Sequence, residues 1–234
     1  MPAPTHADPS PRSTYRHGDL RRALLDAGIE MARQGGPEAV VLREATRRAG
    51  VVPNAAYRHF ANRDALLQAV RAAALGAVAA AMEEELARLS PELPAADFAR
   101  ASVRAVGTGY LRFARNETGL FRTAFATPVD MAGVASEDRA GPGGLDPFQL
   151  LGAALDRLVS AGAMPPQERP GAEMLAWSAV HGMALLAIEG PLRARPVAEL
   201  EAMGQRLLDM VERGLGAGSA RWPTTNAAPK KVEL

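Results

Sequence analysis

Within ten residues the chain gathers an amide, a phenol, two guanidinium groups and an imidazole: Asn54, Tyr57, Arg58, His59 and Arg63. These are hydrogen-bond donors of the kind that read duplex DNA. Asparagine and arginine can each bond two base-edge atoms in the major groove. Asn54 and Arg58 are therefore the candidates for base contact, and the Ala55 methyl suits a thymine methyl. Phenol and imidazole groups donate to phosphate oxygens, which is the task expected of Tyr57 and His59. Catalysis finds less to work with. There is no cysteine, there are four histidines, no carboxylates pair in an apolar setting, and no glycine-rich phosphate loop precedes a helix. Gly141-Pro142-Gly143-Gly144 is interrupted by proline and follows no strand. No second histidine or carboxylate stands at metal-ligand spacing from His181, so neither an enzyme, a metal nor a cofactor is expected.

A second group is Trp177 and His181, four residues apart and so on one face of a helix. His181 is either a ligand contact or a core histidine with its hydrogen bonds satisfied. Its segment, 176–186, is apolar almost all round, which predicts burial between helices or in a subunit interface.

Both groups need a rigid frame, and the frame reads as helical. β-branched and aromatic alternation never persists, while Ala, Leu, Arg and Glu dominate. About nine helices are predicted in an all-α chain. The first runs from about Asp19, its N-cap, to Gln34. Leu20, Leu24, Ala27 and Met31 form its apolar stripe, and Gly35-Gly36-Pro37 stops it. Two short helices follow, over about 42–49 and 53–60. Leu42, Ala45 and Ala49 face inward on one, and Ala56 and Phe60 on the other. Gly50 supplies the left-handed turn residue and Val51 plugs the corner. A helix-turn-helix requires such a two-helix unit with a short turn. Asn62 caps a long helix to about Leu89. Later helices are expected over about 95–114, 119–126, 146–161, 167–189 and 196–215, with a loop at 127–147. The predicted organisation is a disordered arm (1–15), a DNA-reading head (16–63, helix-turn-helix about 41–60), a C-terminal domain (64–215) and a disordered tail (216–234).

Composition narrows the setting. The net charge is +1, but the first 64 residues hold ten arginines and seven carboxylates, a local +3. No N-terminal apolar run marks a signal peptide, and no long uncharged apolar stretch marks a membrane span. The lack of cysteine excludes disulfides and fits a reducing cytoplasm.

The segment from Arg43-Glu44-Ala45-Thr46-Arg47-Arg48-Ala49-Gly50-Val51 through Ala56-Tyr57-Arg58-His59-Phe60 to Asn62-Arg63-Asp64-Ala65-Leu66-Leu67 resembles the tetracycline-repressor (TetR) family. Tyr15-Arg16-His17-Gly18-Asp19-Leu20 is similar to the start of many members. The resemblance implies DNA contacts by Tyr57 and His59, a phosphate grip by Arg63, and backbone or base contact by Arg43. It also implies a homodimer on a near-palindromic operator in double-stranded DNA. Three positions depart from the family pattern. Val41 and Val52 stand where Ser or Thr is usual, each a loss of about 1 kcal/mol of helix capping. Thr46 stands where Ala is usual. Together they predict a slightly loosened head.

Trp177, His181 and Gly182 are similar to the WHG-type C-terminal domain of one branch of the family, over about 98–215. The resemblance implies a small-molecule effector inside the C-terminal bundle. The expected lining is Phe98, Tyr110, Phe113, Phe121, Phe125, Phe148, Trp177 and His181, and an apolar ligand suits it. Leu200, Met203, Gly204, Leu207 and Val211 of the last helix are expected at the dimer interface, although such a stripe looks the same when it packs within one chain. Two readings stand: a DNA-binding regulator, most simply a repressor, and a helical dimeric sensor with little DNA binding of its own. The second draws on the Val41 and Val52 departures, and Arg43, Arg47 and Arg48 can also be read as a solvated face paired with Glu44.

Overall fold

The computed structural model describes residues 17–126 and 137–216. The expected N-terminal arm, the tail beyond 216 and the first part of the 127–147 loop lie outside those residues. Among the described residues there are nine α-helices and no strand. They are α1 (His17–Gly35), α2 (Leu42–Arg48), α3 (Pro53–Ala56), α4 (Arg63–Leu86), α5 (Ala95–Asn116), α6 (Thr118–Ala124), α7 (Pro147–Ser160), α8 (Ala172–Ile188) and α9 (Val197–Gly216).

Three boundaries differ from expectation. The first helix begins at His17, so Asp19 lies inside its first turn rather than at the cap. The third helix is a single α-turn, and Tyr57–His59 continue it as a tighter turn, with the His59 N–H bonded to the Ala56 carbonyl at 2.9 Å. The eighth begins at Ala172 because Gly171 takes a left-handed φ of 79°, which ends the preceding short 3-10 turn, Pro166–Glu168.

Helix α4 is the central element. By length and composition it is apolar enough to cross a bilayer. Here it is the inner helix of a bundle, with Leu66, Val70, Ala74, Val78 and Met82 buried. It packs on α1, α5, α6 and α7. Asn62 caps it as expected, its side chain accepting the Ala65 N–H at 2.8 Å. Helices α1, α2 and α3 pack together around Leu24, Leu42, Ala45, Ala56 and Phe60. Helices α5, α7, α8 and α9 complete the rest of the bundle. Helix α7 opens with a reciprocal cap, Asp146 accepting the Gln149 N–H and the Gln149 side chain accepting the Asp146 N–H.

Candidate nucleic-acid interface and ligand cavity

The turn between α2 and α3 follows from Gly50. Its φ of 67° lets Val51 N–H reach the Thr46 carbonyl and Gly50 N–H the Arg47 carbonyl, both at 3.2 Å, so these two carbonyls at the end of α2 are satisfied. The chain then reverses into α3. Ala56 and Phe60 are buried as expected, and the Arg21 guanidinium lies over the Phe60 ring. Asn54, Tyr57 and Arg58 are exposed, whereas Ala55 and His59 are half-buried.

The charges on this surface are sorted by geometry. Glu44 is gripped by Arg47 at 2.7 Å and Arg48 at 2.9 Å, which hold its carboxyl down at about 2. Arg43 and Arg58 have no ion-pair partner among the described residues. The exposed donors with no partner among the described residues are therefore Arg43, Asn54, Tyr57 and Arg58. Arg63 has a different position from the one expected of a free phosphate grip. Its Nε donates to the Val40 carbonyl at 2.8 Å and a terminal nitrogen donates to the Pro37 carbonyl at 2.7 Å. It ties the start of α4 to the α1–α2 link and leaves one nitrogen outward, 3.8 Å from Asp64.

Of the three departures, two leave their mark. Neither a cap bond nor any other side-chain polar contact comes from Val41, and Val52 is 69% exposed. Thr46 is accommodated within α2. Its buried hydroxyl donates to the Leu42 carbonyl at 2.7 Å, so the added oxygen is satisfied within its own helix.

In the C-terminal bundle, Tyr110, Phe121, Phe125, Trp177 and His181 form one aromatic cluster with ring centroids 4.9–6.3 Å apart. Its polar atoms form a short chain. Indole only donates, so Trp177 Nε1–H gives its proton to the Tyr110 oxygen at 3.2 Å. The Tyr110 hydroxyl lies 2.7 Å from His181 Nδ1. Burial pushes the imidazole pKa down and the phenol pKa up. In the tautomer protonated at Nε2, the neutral ring accepts the Tyr110 proton at Nδ1. His181 is thus a half-buried histidine with a satisfied ring nitrogen.

Tyr110, Phe125, Phe148 and Trp177 line a cavity of about 60 Å³. Aliphatic side chains that no aromatic pattern could single out complete it, among them Val106, Leu151, Val180 and Leu208, with Arg139 and Asp146 at its edge. The expected lining is only partly brought together. Phe121 and His181 back the cluster and face a separate cleft beside Arg122 and Glu38. Phe113 is buried in the core outside the cavity, and Phe98 lines a groove with Pro91, Leu93 and Arg157. Among the described residues no three potential metal ligands cluster.

The residues of the α9 stripe have different surroundings in the single chain. Val211 lines the aromatic cavity, Leu207 packs on the core, and Gly204 is buried beside Leu111. Met203 is exposed, and Leu200 lines a hollow toward α5. The exposed large apolar side chains of these two helices are Met174, Leu175, Leu185 and Leu186 on α8 with Val197, Met203 and Met210 on α9. The eighth helix is thus not buried all round, since Leu175 is 71% exposed.

Between head and bundle sits α6. A side chain at Gly119 would collide with the Ala32 and Arg33 carbonyl oxygens, so the α1 and α6 backbones touch directly. Arg33 pairs with Glu117 at 2.8 Å. Arg122 reaches Glu38 of the head at 3.5 Å and Glu189 at the end of α8 at 2.6 Å. None of these pairs carried a local sequence signal.

A compact helix-turn-helix head, joined by a long helix to a bundle with its own cavity, defines a helical DNA-binding regulator. Residues 24–70 match the bacterial regulatory proteins of the tetR family, and residues 103–211 match the tetracyclin repressor-like C-terminal domain, together more than half of the chain. The chain belongs to the TetR family and is a DNA-binding transcription regulator. Neither match names the WHG type. Solved structures agree in fold. A protein of unknown function from Rhodococcus sp. RHA1 superposes with a TM-score of 0.67 at 27% identity, covering 88% of this chain and all of its own. The TetR-family regulator PfmR from Thermus thermophilus gives 0.53 at 19% identity, covering 83% and 96%. A TetR variant from Acinetobacter baumannii AYE in complex with minocycline gives 0.51 at 18% identity, covering 84% and 94%. No curated protein matches the chain in sequence.

Proposed function

We propose that this regulator is a cytoplasmic repressor that holds a near-palindromic operator as a homodimer and leaves it when a small apolar molecule enters the aromatic cavity. The observation that carries the reading is α6. One of its faces supplies Phe121 and Phe125 to the aromatic cluster, while Gly119, Glu117 and Arg122 hold the head. A change in the cavity wall therefore bears on the placement of the head. The reading assigns residues 16–63 to DNA binding and 64–215 to sensing and dimerisation. Arg43, Asn54, Tyr57 and Arg58 make the direct contacts, with Ala55 and His59 at their edge and Arg63 offering its outer nitrogen. The exposed apolar residues of α8 and α9 meet their copies across a two-fold axis, as a symmetric dimer needs.

Selection from a random duplex pool at near-physiological salt tests this. A near-palindromic winner, bound well above its scrambled control and released by apolar compounds that raise the melting temperature, is the expected result. A second reading, a sensor with little DNA binding of its own, draws on the uncapped starts at Val41 and Val52. A folded dimer that enriches no sequence favours it.

A further inference from the structure

A second hollow, of about 570 Å³, lies between α5, α8, α9 and the turn that joins the last two. It shares no lining residue with the aromatic cavity. Its volume falls in the range of about 300–1,000 Å³ usual for small-molecule sites. Leu111, Met183, Ile188 and Leu200 make an apolar floor. Gly204 keeps one wall open, since a Cβ there would stand 3.2 Å from Leu111 Cδ1.

The rim carries four arginines and one carboxylate, Glu201. Three of the arginines are already committed. Arg112 pairs with Glu84 and Glu85 at 2.6 Å each, Arg115 with Glu201 at 2.6 Å, and Arg195 with Glu199 at 3.4 Å. Arg193 is exposed and has no ion-pair partner among the described residues. The start of α9 also faces the rim, and Pro196 before it has no side-chain acceptor for the first N–H groups. The uncompensated charge is thus about one unit. That suits a single anionic head and not a polyphosphate.

We propose that this hollow binds an amphipathic monoanion, an alkyl carboxylate whose chain lies on the Leu111–Leu200 floor and whose head pairs with Arg193. A guanidinium fork matches a carboxylate in plane and spacing. The site goes beyond the regulator reading and stands or falls without DNA. It adjoins the link to the head, because Thr118, the first residue of α6, lines it.

Calorimetric titration of the full chain with dodecanoate, below its micellar range, is the test. Saturable binding of one ligand per chain is expected. Arg193→Glu should weaken it at least about tenfold, Arg193→Lys should weaken it less than Arg193→Glu because it keeps the charge and loses the fork, and dodecyltrimethylammonium should bind at least about tenfold more weakly. Arg193 is exposed, so a melting temperature like that of the unaltered chain separates loss of binding from loss of fold. Equal affinity in Arg193→Glu overturns the proposal, because the ligand then sits elsewhere. Absence of saturable binding, or equal binding of the cationic amphiphile, overturns it too. Operator binding by the same preparations reports on the regulator reading separately.

Discussion

Val41 holds N-cap geometry without N-cap chemistry. Its φ of −127° and ψ of 120° are those of a capping residue, and its carbonyl already accepts the Ala45 N–H at 3.0 Å. What is missing is a side-chain oxygen for the N–H groups of the first α2 turn. Threonine has the shape of valine, so Val41→Thr changes the chemistry alone. At 43% exposure the new hydroxyl keeps contact with water and carries little desolvation cost. Restoring such a cap contributes about 1 kcal/mol, within a range of roughly 0.5–2. Glu44 stands where it could complete a capping box, but Arg47 and Arg48 hold its carboxylate, so the middle of that range is expected. For a chain of this size about 1 kcal/mol corresponds to a melting temperature higher by roughly 2–4 °C. Thermal unfolding by circular dichroism, at one protein concentration so that any association is held constant, reads it out. Val41→Ile is the control, with the branched shape and no oxygen. If Val41→Thr melts no higher than Val41→Ile, the missing oxygen does not limit this helix and the account of the departure is wrong.

Other outcomes follow from the same geometry. On the selected operator, Arg58→Ala should cost about 1–3 kcal/mol and relax the preference at one base pair, whereas Arg43→Ala should weaken all sequences alike and lower the salt slope by about one; competition binding over a salt series separates them. Tyr110→Phe strands Trp177 Nε1 and His181 Nδ1 together, so urea denaturation should show a loss of about 1–3 kcal/mol. Burial keeps the His181 pKa below its ordinary 6.5, so below that value the unfolded chain takes up a proton that the folded chain resists. Stability should therefore rise with pH up to about 6.5 and fall on acidification, and His181→Gln should flatten the slope between denaturation curves at about pH 5 and pH 7. Leu175→Glu places a charge on the exposed α8 face and should raise the dimer dissociation constant at least about tenfold in sedimentation equilibrium, with the monomer still helical.

Legibility varied with the kind of signal. The α2–α3 unit was readable because its constraints are local: a left-handed glycine, inward residues four apart, and an asparagine cap on the next helix. Helix ends were read less well where two signals competed, as at Pro170-Gly171, where the left-handed glycine set the start of α8. The aromatic lining exposed a deeper limit. Phe98 and Tyr110 share α5, but twelve residues place them about 18 Å apart along its axis, so they serve different ends of the bundle. The α9 stripe was visible as a stripe, but periodicity names a face without naming its neighbour. Val211 turned inward, while the outward apolar surface lay mainly on α8, where all-round apolarity hid any face. Arg63 shows the same limit in one side chain, since its carbonyl partners lie 23 and 26 residues away.

The size of the aromatic cavity restricts how it can act. At about 60 Å³ it is far smaller than the 300–1,000 Å³ or so of small-molecule sites, so on the proposed function an effector of ordinary size has to move a wall. Two walls differ in what they carry. Phe148 stands in the first turn of α7, behind a loop held to α4 where Glu83 accepts the Gly143 N–H at 3.1 Å. Displacing it disturbs that loop first and leaves α6 seated. Phe125 stands at the end of α6, packed between Tyr110, Phe121 and Trp177. Displacing it acts on a helix of only seven residues. The ion pairs of Arg33 and Arg122 are partly exposed and yield for about 1 kcal/mol or less each. The contact at Gly119 is stiffer, because two backbones meet there and no side chain can rotate away. A ligand that displaces Phe125 is therefore expected to shift α1 together with α6, and the residues proposed to read bases to move with α1 because Phe60 and Leu24 share its core. On the proposed function, affinity for the cavity and release of the operator are thus separable properties, and only compounds that reach Phe125 are expected to have the second.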